Sequence, residues 1–298
     1  MQSPKRVIVT GASRGIGRAL VDRFLDLGHE VWALSRNTDE LKNIKGIHTV
    51  SIDLSDEQQI VDWVQSCGVD HFDAVINNAG MLINKPFAET TYADFEAVYR
   101  VNVFGAAQLI RHLLTFLTTD DHVLNISSMG GVNGTAKFPG LAAYSSSKGA
   151  LGILTELLAE EFKDNGPRCN ALALGAVQTE MLAEAFPDYK APVSASQPEP
   201  AARSAELALR TTRRLRRQRA ALAGANSTGG ASKRPARRKR SLDGTAAQGR
   251  LALLGGGGER DREVHHRHAV LVLVERGDDE RRAAAAERAA AAAAAAAA

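Results

Sequence analysis

Tyr144 and Lys148 stand four residues apart, and upstream of them Ser128 closes the run Val123-Leu124-Asn125-Ile126-Ser127-Ser128. Four residues is one helical turn, so both side chains project from one helix face. A free phenol ionises near pH 10, and only ~0.1% of it is phenolate at neutral pH. A neighbouring ammonium favours the phenolate and lowers that value, which makes Tyr144 a usable proton donor and acceptor. A hydroxyl at the end of a buried strand, as at Ser128, hydrogen-bonds a carbonyl oxygen and polarises it; Ser127 competes for that task. Near the start of the chain, Thr10-Gly11-Ala12-Ser13-Arg14-Gly15-Ile16-Gly17 offers a different chemistry. Its glycines let the backbone turn tightly and approach a pyrophosphate, whose charge meets free amides at a helix N-terminus. Each feature alone also has a plain structural reading, as a turn serine, a half-buried ring beside a solvated lysine, or an ordinary strand-to-helix turn.

These groups need elements to hold them. Short apolar, β-branched runs predict strands at Val7 to Thr10, Glu30 to Ser35, Ile47 to Ile52, Ala74 to Asn77, Val123 to Ser127 and Arg168 to Leu174. Helical spacing predicts helices over Gly15 to Leu27, Asp56 to Ser66, Tyr92 to Leu117 and Ala143 to Phe162. The alternation implies parallel strands joined by right-handed crossovers, hence an α/β doubly wound parallel sheet of the Rossmann kind. Gly11, Asn78, Ser128 and Gly175 all follow strands, where such sheets bind ligands.

From about residue 5 to about residue 190 the chain resembles the short-chain dehydrogenase/reductase family, through six motifs in the family's order. Thr10 to Gly17 resembles its cofactor turn, Asp53-Leu54 its adenine-side pair, and Asn77-Asn78-Ala79-Gly80 the segment after its fourth strand. Asn102 resembles its helix asparagine, Ser128 its catalytic serine, and Tyr144 with Lys148 its Tyr-x-x-x-Lys pair. The resemblance implies hydride transfer between a nicotinamide cofactor and a carbonyl or alcohol. Asn102, Ser128, Tyr144 and Lys148 would be catalytic, with Asn102 holding a water relay to Lys148. Cofactor contacts would come from Gly11, Ser13, Arg14, Gly15, Ile16, Gly17, Arg36, Asp53, Leu54, Asn78, Ala79, Gly80, Tyr144, Lys148, Gly175, Val177 and Thr179. Two departures stand out: the Ser128 to Tyr144 interval is a few residues longer than usual, and Leu174 replaces the usual Pro before Gly175. Family members commonly pair through the long helices, here Tyr92 to Leu117 and Ala143 to Phe162, which implies a homo-oligomer.

The second strand bears on the choice of cofactor. A carboxylate at its end accepts hydrogen bonds from the adenosine ribose and repels a 2′-phosphate. Ser35 stands there instead, followed by Arg36, with Arg14 in the glycine turn. Two guanidiniums near the ribose suit a 2′-phosphate, so NADP(H) is favoured over NAD(H).

The net charge of +3 hides two unlike halves. Residues 1–200 carry 16 Lys and Arg against 24 Asp and Glu, whereas 201–298 carry 21 against 10, and all fifteen aromatic residues lie at or before Tyr189. We divide the chain into a catalytic domain, 1–197, left C-terminally incomplete so that its sheet lacks its last native strand, and an Arg/Ala/Gly-rich tail, 198–298. Three readings of the tail stand open: phosphate contacts to nucleic acid through Arg213 to Arg219 and Lys233 to Arg240, a solvated extension, or wrong-frame translation of GC-rich coding sequence. The abrupt shift in composition and the closing polyalanine favour the last, so nucleic acid is not expected as a partner. Only Val270 to Val274 reads there as a buried strand, and His265, His266 and His268 read as solvated rather than metal-binding. Two cysteines exclude a disulfide framework. With no leader and no apolar span expected, a cytoplasmic NADP(H)-dependent carbonyl reductase acting on a small molecule is the expected function. A cofactor-binding remnant without turnover and a nucleic-acid binder are the alternatives.

Overall fold

The computed structural model describes residues 3–191, 193–194 and 270–272. Six parallel strands form the body of one sheet: β1 (Arg6–Thr10), β2 (Glu30–Ser35), β3 (Ile47–Ser51), β4 (Ala74–Asn77), β5 (His122–Ser128) and β6 (Arg168–Leu174). Their order is β3-β2-β1-β4-β5-β6, so the chain winds outward from β1 and then crosses to its other side at β4. The gap between β1 and β4 is the switch point, where open α/β sheets bind ligands at the carboxyl ends of their strands.

Alternation of side chains explains why these strands read as continuous apolar runs. Val7, Val9, Val31, Ala33, Ala74 and Ile76 pack into one layer with Leu20, Val21 and Phe24 of α1 (Gly15–Asp26). Their neighbours Ile8, Trp32, Leu34 and Val75 enter the opposite layer, with Ile60 and Val64 of α2 (Glu57–Ser66). A strand buried on both faces has no polar face to show. Each fully buried Ile, Leu or Val contributes about 1.5–3 kcal/mol relative to leaving it exposed.

The expected helix Tyr92 to Leu117 is continuous but not uniform. It runs as α3 (Tyr92–Tyr99), a π-helical turn (Arg100–Gly105), α4 (Ala106–Leu113) and a 3-10 turn (Leu114–Phe116). Its start carries a reciprocal cap between Thr91 and Asp94, and hydrogen bonds from Thr91 and Lys85 hold the Asp94 carboxyl down at about 2. At Gly105 a side chain would strike the Leu54 carbonyl, so the widened turn lets the helix lie directly on the loop after β3. The 20-residue α5 (Ala142–Glu161) carries Tyr144 and Lys148 near its N-terminus. Beyond β6 follow β7 (Val177–Gln178), α6 (Glu180–Ala185) and β8 (Val193–Ser194), with β8 parallel to β7 in a separate small sheet.

Six strands come from the body, as expected, and the position beyond β6 is taken by three tail residues. Val270–Val272 form β9, parallel to β6 in the register Ala171↔Val270, Leu172↔Leu271 and Ala173↔Val272. They belong to the one tail segment with a strand-like sequence. Leu273, Val274, the basic clusters 213–219 and 233–240 and the histidines 265, 266 and 268 lie outside the described residues.

Candidate active site

The glycine turn is a cross-linked corner rather than a loose loop. Gly11 adopts φ +65°, in the left-handed region where a Cβ costs energy, and a side chain there would meet the Cα of Ala79 at 2.8 Å. At Gly17 a side chain would fall on the Gly11 carbonyl and on Asn78. Thr10 and Asn78 supply the fastening. Thr10 Oγ1 accepts the amides of Asn78 and Ala79, each at 2.9 Å, while Asn78 Nδ2 donates to the carbonyls of Thr10 and Gly11 at 3.0 and 3.3 Å. The segment after β4 is thereby held against the turn after β1, at the switch point. No side chain caps α1 and its first turn has no carboxylate, which leaves that end suited to an anion. These features fit a dinucleotide pyrophosphate.

On the adenosine side, Ser13 and Ser35 hydrogen-bond through their hydroxyls at 2.9 Å, fastening the end of β2 to the glycine turn. Arg36 is exposed just beyond. The Arg14 guanidinium pairs with Glu184 of α6, Nη1 to Oε1 at 2.6 Å and Nη2 to Oε2 at 3.4 Å. Asp53 is half-buried and Leu54 buried; Asp53 Oδ1 accepts the amide and hydroxyl of Ser55 at 2.9 and 2.8 Å. On the far side, Gly175 is exposed, Val177 begins β7 and Thr179 caps α6 by accepting the Leu182 amide at 3.2 Å. Thr179 lies close over Gly15, where a Cβ would sit 3.3 Å from its methyl.

The reacting side is built where β5 meets α5. The Ser128 hydroxyl lies beside Tyr144, close enough to favour the ionised form of the phenol. Gly130 N–H donates to Ser128 Oγ at 3.2 Å. Ser127 points elsewhere, donating to the Lys148 carbonyl at 2.9 Å, and so does not share the serine position. Lys148 is buried and donates from Nζ to the Ile126 carbonyl at 2.9 Å. Asn102, on the π-helical turn, accepts the Met81 amide at 2.7 Å and donates to the Met81 carbonyl and to Ser147 Oγ at 3.0 and 2.9 Å. Gly80 separates it from the lysine, since a Cβ there would lie 3.4 Å from Asn102 Oδ1 and 3.5 Å from Lys148 Nζ.

The electrostatics differ from the sequence expectation in one respect. Burial raises the Tyr144 pKa above its ordinary value, and the neighbouring Ser128 hydroxyl opposes that shift. Lys148 Nζ stands 5.9 Å from the centre of the tyrosine ring and donates to a backbone carbonyl. Burial brings the lysine itself down to about 8, so about nine-tenths of it stays charged at neutral pH.

Three positioning residues, Asn125, Thr155 and Lys137, carried no motif. Asn77 Nδ2 donates to Asn125 Oδ1 and Asn125 Nδ2 to Thr155 Oγ1, each at 2.8 Å, a buried ladder from β4 through β5 to α5. The polar character of Asn77 and Asn125 inside otherwise apolar strands was the available signal. Lys137 wraps the long loop after Ser128, donating to the carbonyls of Gly130 and Val132 and to Thr135.

The profile of the short chain dehydrogenase family matches residues 5–190. The chain is 33% identical over 183 residues to a carbonyl reductase [NADPH] from Sus scrofa, covering 59% of this chain and 73% of that one. It spans 65–76% of the length of curated relatives of this kind. Among solved structures, 4-hydroxyisoleucine dehydrogenase complexed with NADH superposes with a TM-score of 0.62 at 25% identity, over 71% of this chain and 93% of that one. A short chain dehydrogenase from Shigella flexneri complexed with NADP gives 0.61 at 26%, over 66% and 89%. No helix among the described residues is long and apolar enough to cross a membrane. With the glycine corner, the serine, the tyrosine and the lysine all brought to one end of its sheet, the chain belongs to the short-chain dehydrogenase family of oxidoreductases.

Proposed function

We propose that the protein is an NADP(H)-dependent oxidoreductase that reduces a carbonyl on a small molecule, or oxidises the corresponding alcohol, with catalysis assigned to residues 1–197. The observation that carries this reading is that Ser128 and Tyr144 are brought together at the carboxyl end of β5, beside a buried lysine. A bound nicotinamide supplies or accepts the hydride. The chain's own groups handle the oxygen. Ser128 donates a hydrogen bond to the substrate carbonyl, and Tyr144 Oη delivers the proton as charge develops there. Because burial holds Tyr144 in its protonated form, the free enzyme is set for reduction, and alcohol oxidation gains as pH rises. Asn102 keeps the segment after β4 in place and borders a water path to Lys148.

Gly11, Ser13, Gly15, Ile16 and Gly17 would hold the pyrophosphate, Asp53 and Leu54 the adenine side, and Asn78, Ala79, Gly80, Gly175, Val177 and Thr179 the nicotinamide side. The preference for the phosphorylated cofactor rests on Ser35 at the end of β2 and on the exposed Arg36, with Arg14 close by in the turn. We also place the protein in the cytoplasm, on its two free cysteines, and read it as a homo-oligomer. Phe104, Ile153 and Leu157 expose 53–63% of their surface along the long helices, an apolar display that suits pairing between copies.

The test is consumption of NADPH and of NADH with a panel of ketones and aldehydes, together with dissociation constants for both cofactors. Arg36→Asp removes an attraction and adds a repulsion, so it weakens NADPH while leaving NADH nearly unchanged. Equal loss for both, or an original preference for NADH, overturns the cofactor assignment. Absence of turnover on every carbonyl despite tight NADPH binding overturns the activity.

A further inference from the structure

The ion pair between Arg14 and Glu184 joins two segments that the sequence separates by 170 residues, the cofactor turn and the short helix after β6. It is bidentate, the geometry in which a guanidinium also receives a phosphate. It is also one of several links that hold α6 across the cleft. Asn84 Nδ2, in the segment after β4, donates to the Ala185 carbonyl at 2.7 Å, and Thr179 at the head of α6 lies over Gly15. The carboxylates whose charge Arg14 feels are Glu184, Glu180 and Glu40, and of these only Glu184 is hydrogen-bonded to it.

We propose that Glu184 is a specificity-determining residue for the cofactor, because its carboxylate occupies the guanidinium fork that a 2′-phosphate would take. A phosphorylated cofactor then gains Arg14 only by displacing Glu184, which breaks one of the links between α6 and the glycine turn. An unphosphorylated cofactor leaves the pair intact. NADP(H) and NAD(H) thus bind to differently latched states of α6, and Glu184 works against the preference that Arg36 creates. This rests on the NADP(H) reading above. Both partners are partly solvated, with side chains 47% and 63% exposed. Such pairs are worth little in water, so the effect is a modest one.

The test uses the full chain and dissociation constants for NADPH and NADH in Glu184→Gln, Arg14→Ala and the double variant. Glu184→Gln should bind NADPH about two- to five-fold more tightly and NADH unchanged, and that gain should vanish when Arg14 is also replaced. A carboxylate that merely braces the fold would move both cofactors together. An unchanged NADPH affinity in Glu184→Gln, an equal change for both cofactors, or a gain that persists without Arg14 overturns the proposal. Two outcomes separate the layers. If Arg14→Ala lowers NADPH affinity selectively while Glu184→Gln does nothing, the latch alone falls. If Arg14→Ala leaves the ratio of the two cofactors unmoved, Arg14 does not read the phosphate and the inference falls with that reading.

Discussion

The two ends of the sheet handle polar groups in opposite ways. At the amino ends of the strands, polar side chains are consumed in structure. Asp121 is buried and accepts the amide and hydroxyl of Thr118 at 2.6 and 2.7 Å and His71 at 3.0 Å, while Asp73 accepts the Arg6 amide at 2.9 Å. His122 is buried against Asn170 at 2.6 Å, and burial pushes its pKa down to about 3. At the carboxyl ends, Ser128 accepts the Gly130 amide and Lys148 donates to the Ile126 carbonyl, and with Tyr144 these are the groups we propose act on a substrate. One end ties its strands together; the other holds the groups assigned to the substrate.

The strongest way to break this contrast is to change a reacting group and look for damage to the fold. Tyr144→Phe keeps the ring and removes the transferable proton, so carbonyl reduction should fall about 10²–10⁴-fold. The unfolding midpoint and NADPH binding should hardly change. Full activity in this variant would refute the role given to Tyr144.

The amino end should answer to pH instead. His122 is neutral in the fold and titrates near 6.5 when unfolded, so the unfolded chain binds the extra proton between about 6.5 and 3. Its contribution is present above pH 6.5 and is lost as pH falls through that window, by an amount on the order of a few kcal/mol. His122→Leu should flatten that part of the stability profile in chemical denaturation, whatever its absolute stability. An unchanged slope would show that His122 is not the group responsible.

Gly17→Ala sharpens the distinction by straining the cofactor corner. Relief of the clash with the Gly11 carbonyl requires backbone movement, at about 1–3 kcal/mol. Cofactor affinity should drop with it, and calorimetric titration with NADPH measures both effects. The smallest effect is expected from the ladder between the two ends. Asn125→Ala leaves Asn77 and Thr155 without their shared partner, a loss of about 1–3 kcal/mol. Because the ladder anchors α5, turnover should fall more than cofactor binding does. A variant that loses stability without any loss of turnover would reduce the ladder to a purely structural feature.

Much of this was legible in the chain. The six body strands and the helices lie within a residue or two of the limits expected from apolar runs and helical spacing, because a strand buried on both faces must be apolar throughout. The long helix from Tyr92 was read as uniform, and its π-helical turn at Asn102 was not foreseen. That turn answers to the close approach of Gly105 to the Leu54 carbonyl, a contact across half the domain. The reacting residues were legible for a different reason. Tyr144 and Lys148 are near neighbours on one helix, so local spacing was enough to place them together, whereas the choice of Ser128 over Ser127 came from the family resemblance.

Local order was therefore written in the chain: which runs are strands, where the backbone must turn without a Cβ, and which side chains share a helix face. Partnership at a distance waited on the fold. Ser127 and Ser128 are chemically alike, and their difference appears only when one meets the Lys148 carbonyl and the other meets Tyr144. Arg14 is read from sequence as a phosphate ligand, and only the fold sets Glu184 against it. Lys148 shares a helix face with Tyr144, and only the fold shows its ammonium donating to the Ile126 carbonyl. Spacing along the chain fixes direction from a helix or strand, but the charge and burial a side chain experiences depend on what the fold brings to meet it.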